Sequence, residues 1–314
     1  MVTRRIVCSS HATLEAVEWP VFEAVGARDG PRVCLLAGVH GGEYSSIAAL
    51  VHFMRELDVA ELTGSILAVP VVSPTSFGAR SPFVVPEDGR NLNRSFPGDP
   101  DGSFTDVLAH HVFSEFVAGS DLLIDLHGGD MVEALEPFAL YDDSPLRDTA
   151  EWLARAYGLR YVVCDTTGAL GGTSSAAAAA AGIPAFTAEA GGRGLLEPAE
   201  VERHVRGLRN SLRAAGVLDG EPDPPRPDQQ LVQRFLWLRT HARGWWQPAL
   251  DVGDTVAAGE LIGTVLDGFG DTSEVISAPE PGALLFLTSS PAVQADGLLV
   301  GLGAGLQPYD GTPP

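Results

Sequence analysis

His40 and Glu43 stand on either side of two glycines in the stretch "LAGVHGGEYSS", directly after an apolar run. A neutral imidazole nitrogen and a carboxylate oxygen are donors that a divalent cation such as Zn²⁺ takes at about 2 Å, and a glycine hinge lets a short segment aim both inward. An HxxE pair arises readily by chance. A turn histidine beside a helix-start glutamate favoured by the helix dipole is an equally good reading of this motif by itself. His127 tips the balance. It follows "DLLIDL" and precedes Gly128-Gly129, so a second apolar run also ends in His-Gly-Gly, 84 residues after Glu43. Two histidines and one glutamate make the three-ligand set of a catalytic zinc site, whose fourth position is left to water.

The stretch "ARSPFVVPEDGRNLNRSFPG", residues 79–98, adds Arg80, Arg90, Asn93 and Arg94. Guanidinium forks grip carboxylates in a bidentate manner, and an amide such as Asn93 completes a clamp of that kind. A single loop arginine is ordinarily a solvated surface charge; the clustering is what points to an anion. Glu189 closes "IPAFTAE". At a strand end beside a metal, such a carboxylate can take a proton from water and return it to a leaving nitrogen. Residue type alone does not separate Glu189 from Glu197 in that role.

The elements that must position these groups are those of an α/β domain. From Pro31 to about Ala214, short apolar runs alternate with amphipathic segments. "RVCLLAGV", "SILAVPVV", "DLLIDL", "RYVVCD" and "IPAFTAE" read as strands, with Pro70 placing the second at an edge or a bulge. Ile47, Leu50, Val51, Met54 and Leu57 mark a helix after the first strand. "TDVLAHHVFSEFVAG" and "PLRDTAEWLARAYG" read as helices before the third and fourth. "TSSAAAAAAG" is a short helix with a serine cap and Gly182 as terminator, and a longer helix starts at Pro198. His40 with Glu43, Arg80, His127 and Glu189 all fall just past strand carboxyl ends, where open α/β sheets bind ligands. "DGEPDPPRPDQQ", with four prolines, is the linker, dividing a catalytic domain, residues 1–222, from a β-rich domain, residues 223–314.

Composition narrows the function classes. The formal charge of -21 over 314 residues argues against a nucleic-acid partner, since duplex binding needs clustered cations. All 20 basic residues are arginines, so Schiff-base chemistry, a Walker-type phosphate loop and carrier-lysine attachment are excluded. "GVHGGE" and "GALGGTSS" lack the order or the lysine of nucleotide loops. Cys8, Cys34 and Cys164 have no CxxC spacing, which points to a reduced, cytoplasmic setting, and no signal peptide or apolar span of about 18 residues is expected. His11, His52, His110, His111, His204 and His241 have no matched partner and read as structural.

With "HGGE", "GRNLNRSFPG", "DLHGG" and "AEAGG" in that order, the chain resembles the succinylglutamate desuccinylase/aspartoacylase family, a branch of the zinc carboxypeptidase superfamily. The resemblance spans about Pro31 to Arg193, and the tail is similar to that family's C-terminal domain. It implies a three-layer α/β/α domain with a mostly buried mixed sheet, followed by a small all-β, barrel-like domain. It further implies one Zn²⁺ per chain on His40, Glu43 and His127, a substrate carboxylate held by Asn93 and Arg94, and Glu189 as general base and acid. Arg80 would polarise the scissile carbonyl, with Arg90 the other candidate. The family's aspartate two residues before the Asn of Asn-Arg is Asn91 here, so the support of a ligand histidine is expected to differ. "VGDTVAAGELIGTV" resembles a biotinyl/lipoyl-like barrel without its carrier lysine, and such a domain would rim the cleft and favour small N-acyl amino acids over polypeptides. Hydrolysis of a small N-acyl amino acid is the expected activity. A metallocarboxypeptidase acting on a short peptide and a non-catalytic ligand-binding relative are the alternatives, and homo-oligomer formation stays open.

Overall fold

Alternation along one strand explains the layering. In the computed structural model, which describes residues 1–168 and 170–309, strand Arg28–Ala37 sends Val33, Leu35 and Ala37 into one apolar cluster and Cys34 and Leu36 into another. A strand that buries both faces needs helices on both sides. The helices Tyr44–Glu56 (α1), Arg147–Ala156 (α4) and Pro198–Ala214 (α6) cover the first face. Phe104–Val112 (α3) and Ser174–Ala180 (α5) cover the second, and Pro74–Ala79 (α2) lies in the loop region above the sheet edge.

The strands are β1 (Val2–Cys8), β2 (Glu18–Val25), β3 (Arg28–Ala37), β4 (Thr63–Val69), β5 (Leu122–His127), β6 (Glu133–Leu135), β7 (Phe138–Asp142), β8 (Tyr161–Asp165), β9 (Ala185–Glu189) and β10 (Gln230–Val232). Together with β19 (Gln307–Pro308), all but β6 form a ten-stranded mixed sheet in the order β1-β2-β4-β3-β5-β9-β7-β8-β10-β19. β4, β3, β5 and β9 run parallel, so their carboxyl ends share one edge. β4 is interior, not an edge: it stops at Val69, and Pro70 falls outside the ladder. The helix expected over residues 105–119 is α3 followed by a π-helical turn, Phe113–Val117. The α5 cap is Thr173, whose hydroxyl accepts from the Ala176 amide, not the serine that follows it.

The tail strands are β11 (Arg234–Arg239), β12 (Gly244–Pro248), β13 (Thr255–Val256), β14 (Leu261–Leu266), β15 (Thr272–Ser277), β16 (Gly282–Thr288), β17 (Ala292–Val293) and β18 (Leu298–Ala304). They form two antiparallel sheets, β11-β18-β16-β13 and β15-β14-β12-β17, around a core that includes Trp246, Ile262, Val265 and Leu302. The two parts of the chain interlock. β10 and β19 extend the large sheet beyond β8, and β6 pairs antiparallel with β16. Phe138, Tyr161 and Val163 pack with Val232, Ala283 and Leu285 at the junction.

Candidate metal and substrate site

β5 alternates Leu122, Ile124 and Leu126 toward the α1 side, which leaves Asp125 and His127 together on the α3/α5 side. β9 places Glu189 opposite His127 in the ladder, on that same face. His40 follows β3 by a short turn, and Glu43 occupies the N-cap of α1 without capping it. Its carboxylate turns to the histidines instead: Oε1 lies 2.7 Å from His40 Nδ1, Oε2 lies 3.0 Å from His127 Nδ1, and the Gly128 amide donates to Oε2 at 3.2 Å. The glycines at 41 and 42 serve close packing and not a positive φ. A Cβ on Gly41 would lie 2.2 Å from the Phe77 amide nitrogen, and one on Gly42 would lie 2.1 Å from Asp130 Oδ1.

Each imidazole is also held from behind. His40 Nε2 lies 3.0 Å from Asn91 Oδ1, and His127 Nε2 lies 3.0 Å from Asp125 Oδ2, which also accepts from Ser174. Both nitrogens of both rings therefore face acceptor oxygens, yet a neutral imidazole carries a single N–H. If the rear nitrogens donate to Asn91 and Asp125, the two Nδ1 lone pairs point at Glu43, an arrangement that calls for a cation between them. The His40, Glu43 and His127 ligand atoms all lie within 4.8 Å of one another, so this donor set fits Zn²⁺. Burial opposes charge on His40 and His127, but Glu43, and for His127 first Asp125, override it and raise both pKa values. Glu43 is held down to about 2 despite its burial, by His127 and then His40.

These groups line a cavity of ≈730 Å³. Glu189 lines it, its pKa pushed up to about 8 by burial against the opposing pull of His127. Asn93 lines it too. The Asn93 Oδ1 accepts from the Ser174 amide at 3.1 Å, which leaves its NH₂ group for a ligand. Arg94 is anchored by a 2.6 Å bond from Nη1 to the Asn93 carbonyl; burial lowers its pKa while Glu189 and Asp165 raise it. Arg80 and Arg90 are not among the lining residues. Arg80 is exposed and ends α2 in the left-handed region, because a helix, not a strand, precedes it. Arg90 bonds to Ser103 at 2.6 Å and pairs with Asp106, bracing the α3 capping box.

Sequence reasoning named Asn91 without its contact and passed over Asp125, Phe235, Trp237, Arg239 and Glu133. Asn91 takes the place of the expected aspartate through its amide oxygen. Asp125 could have been found as an acid two positions before a strand-end histidine, on the same face. Phe235, Trp237 and Arg239, at alternate positions of β11, all line the cavity, so the tail supplies a wall and not only a rim. Glu133 lines it as well, its pKa raised to about 8 by burial.

A model of the succinylglutamate desuccinylase/aspartoacylase catalytic domain matches residues 29–215. The N-alpha-acetyl-L-2,4-diaminobutyric acid deacetylase of Halomonas elongata is 31% identical over 246 residues, which is 76% of this chain and 71% of that protein. A solved succinylglutamate desuccinylase/aspartoacylase structure from Rhodobacter sphaeroides aligns with a TM-score of 0.82 at 25% identity, covering 98% of this chain and 95% of the other. The product-bound ectoine utilization protein of Ruegeria pomeroyi has the same fold, with a TM-score of 0.86 at 24% identity and coverage of 96% and 95%. Among the described residues, no helix is long and apolar enough to cross a membrane.

Proposed function

The chain belongs to the succinylglutamate desuccinylase/aspartoacylase family, and we propose that it is a zinc-dependent amidohydrolase that removes the acyl group from a small N-acyl amino acid. The observation that carries this reading is the convergence of His40, Glu43 and His127 beside Glu189 in one cavity closed by the tail. Bound there, Zn²⁺ would polarise the acyl carbonyl and make water nucleophilic near neutral pH. His40, Glu43 and His127 are the residues that would hold it, with Asn91 and Asp125 fixing the two rings. Glu189 takes the proton from the attacking water and delivers it to the amide nitrogen as the C–N bond breaks. Burial holds the Glu189 carboxyl above the ordinary carboxylate range, which favours its taking up the proton it is to return. The Asn93 amide and the Arg94 guanidinium hold the substrate carboxylate and so fix the acyl carbonyl near the ligand set.

Arg80 and Arg90 lie outside the cavity and are given no part in the reaction. The Phe235, Trp237 and Phe286 wall supports a small substrate, since a polypeptide would have to pass it. The acetyl group in the relative's name supports an acetyl over a longer acyl group. The test is a comparison of N-acetyl and N-succinyl amino acids with short peptides on the zinc-loaded chain, alongside metal analysis. Preference for peptides, or failure to bind stoichiometric zinc, overturns the reading.

A further inference from the structure

Glu189 sets the direction in which the substrate lies. It returns a proton to the amide nitrogen, so the amino acid half of the substrate lies on the β9 side of the ligand set and the acyl half on the other. Beyond β9 comes β7, where the register sets Phe138 opposite Glu189 and Leu140 opposite Thr187. Leu140 in turn stands opposite Val163 on β8. Paired residues share a face, and Glu189, Phe138, Leu140 and Val163 all line the cavity. The floor therefore turns from metal ligand and carboxylate to hydrocarbon within two strands of His127, about 10 Å at ordinary strand spacing.

The wall beside that floor is aromatic. Ring centroids lie 5.6 Å apart for Phe138 and Phe235, 4.5 Å for Phe235 and Trp237, and 5.7 Å for Trp237 and Phe286, and all four rings line the cavity. Trp237 is 43% exposed, so its ring keeps open surface that a ligand would take out of water. Polar side chains near the wall turn back to their own chain: the Thr288 hydroxyl donates to the Leu298 carbonyl at 2.5 Å, and Arg239 Nη1 donates to the Asp296 carbonyl at 2.8 Å. Arg239, two residues after Trp237 in β11, also lines the cavity, and its fixed charge opposes an ammonium group there. The volume of ≈730 Å³ lies in the ~300–1,000 Å³ range of sites that enclose ligands much larger than an acetylated alanine.

We propose that Phe138, Phe235, Trp237 and Phe286 form a side-chain pocket, so that the substrate is an N-acyl amino acid with an aromatic side chain. The inference rests on the deacylase reading and adds to it the class of side chain. Asn93 and Arg94 take the α-carboxylate; the Arg94 bond to the Asn93 carbonyl uses Nη1 and leaves the other donors of the fork for it. The substrate ring then packs edge-to-face or offset against Trp237.

The experiment compares kcat/KM of the full, zinc-loaded chain for N-acetyl-L-phenylalanine with that for N-acetyl-L-alanine, Nα-acetyl-L-2,4-diaminobutyrate and N-benzoyl-L-alanine, the last carrying its ring on the acyl side. The phenylalanine substrate is expected to exceed the other three by about tenfold to a hundredfold. Trp237→Ala is expected to cut the phenylalanine-to-alanine ratio by about tenfold, mostly through KM, and Trp237→Phe to restore most of it. An equal or higher kcat/KM for any of the other three substrates, or an equal loss on every substrate in Trp237→Ala, overturns the proposal. If no acyl amino acid is hydrolysed, the deacylase reading fails by itself. Calorimetry of free L-phenylalanine against L-alanine on the native chain then decides the pocket, and it serves also if the variants do not fold; equal affinity overturns it.

Discussion

Asn91 offers the sharpest test of how the metal ligands are held. Its Oδ1 faces His40 Nε2 at 3.0 Å and also accepts from the Asn93 amide at 2.8 Å, as the cap of the turn that carries Asn93 and Arg94. Asn91→Ala removes both bonds. Loss of a partner that orients a ligand histidine weakens metal binding by about 10- to 100-fold, which is about 1.4–2.7 kcal/mol. Loss of the cap destabilises the metal-free fold by a further ~1 kcal/mol, or about 1.5 °C in Tm for a chain of this size. Asn91→Asp keeps both acceptor bonds and adds a negative charge behind the ring, so it is expected to bind zinc at least as tightly as the native chain. The assay is competition for Zn²⁺ against a chromophoric chelator, with thermal unfolding of the metal-free proteins measured in parallel. Alanine binding zinc within about twofold of native, or aspartate as weakened as alanine, would show that His40 does not depend on this oxygen, and the ligand assignment would go with it.

Four further outcomes are expected. Glu189→Gln should retain zinc but lose about 10²- to 10⁴-fold in kcat, so a variant with near-native turnover refutes the general-base role. Gly172 has φ +82° and a Cβ there would lie 2.5 Å from the Arg94 carbonyl oxygen, so Gly172→Ala should raise KM severalfold by shifting the clamp loop; a lower Tm with unchanged KM counts against that coupling. His204 is buried, and that burial lowers its pKa to about 4, so the unfolded chain takes up a proton near the ordinary histidine pKa before the folded chain does. That stability is present above pH 6.5 and is lost as pH falls toward 4, by up to ~3 kcal/mol, and His204→Gln should flatten the fall of Tm over that window. A chain ending at residue 222 should fail to give soluble, folded protein, because it lacks β10, β19 and the β16 partner of β6; a cooperative unfolding transition from that fragment contradicts this.

What was legible in the sequence follows from how locally each feature is encoded. Val33–Ala37 and Leu122–Leu126 read as strands because burial on both faces leaves a continuous apolar run, and the histidines at their ends stand out against it. The β1–β2 hairpin went unread, since Thr3, Arg4 and Arg5 sit on an edge strand where polar residues are tolerated. β7 is short and follows Pro137, and its insertion between β9, to which it runs antiparallel, and β8, to which it runs parallel, is a tertiary fact with no local signature. Arg80 and Arg90 share with Arg94 the type and the neighbourhood that suggest a clamp. What separates them is α2, which displaces Arg80, and Asp106, which captures Arg90.

Glu133 marks the limit of that kind of reading. By itself it is one acid in a loop after a ligand histidine, and nothing in "GGDMVEALEP" gives it a partner or a face. Its position is settled by β16, which returns from the far end of the chain to pair with β6 and sets Thr288 against it. The same ladder brings Phe286 and Leu135 into the cavity, and β18, the neighbour of β16, carries β11 with Phe235 and Trp237. The ligand set and Glu189 are therefore built on the parallel strands of the first part of the chain, while the aromatic wall of the cavity comes from the junction with the tail. Substitutions in that ladder should change which acyl amino acid is accepted before they change how the amide is cut.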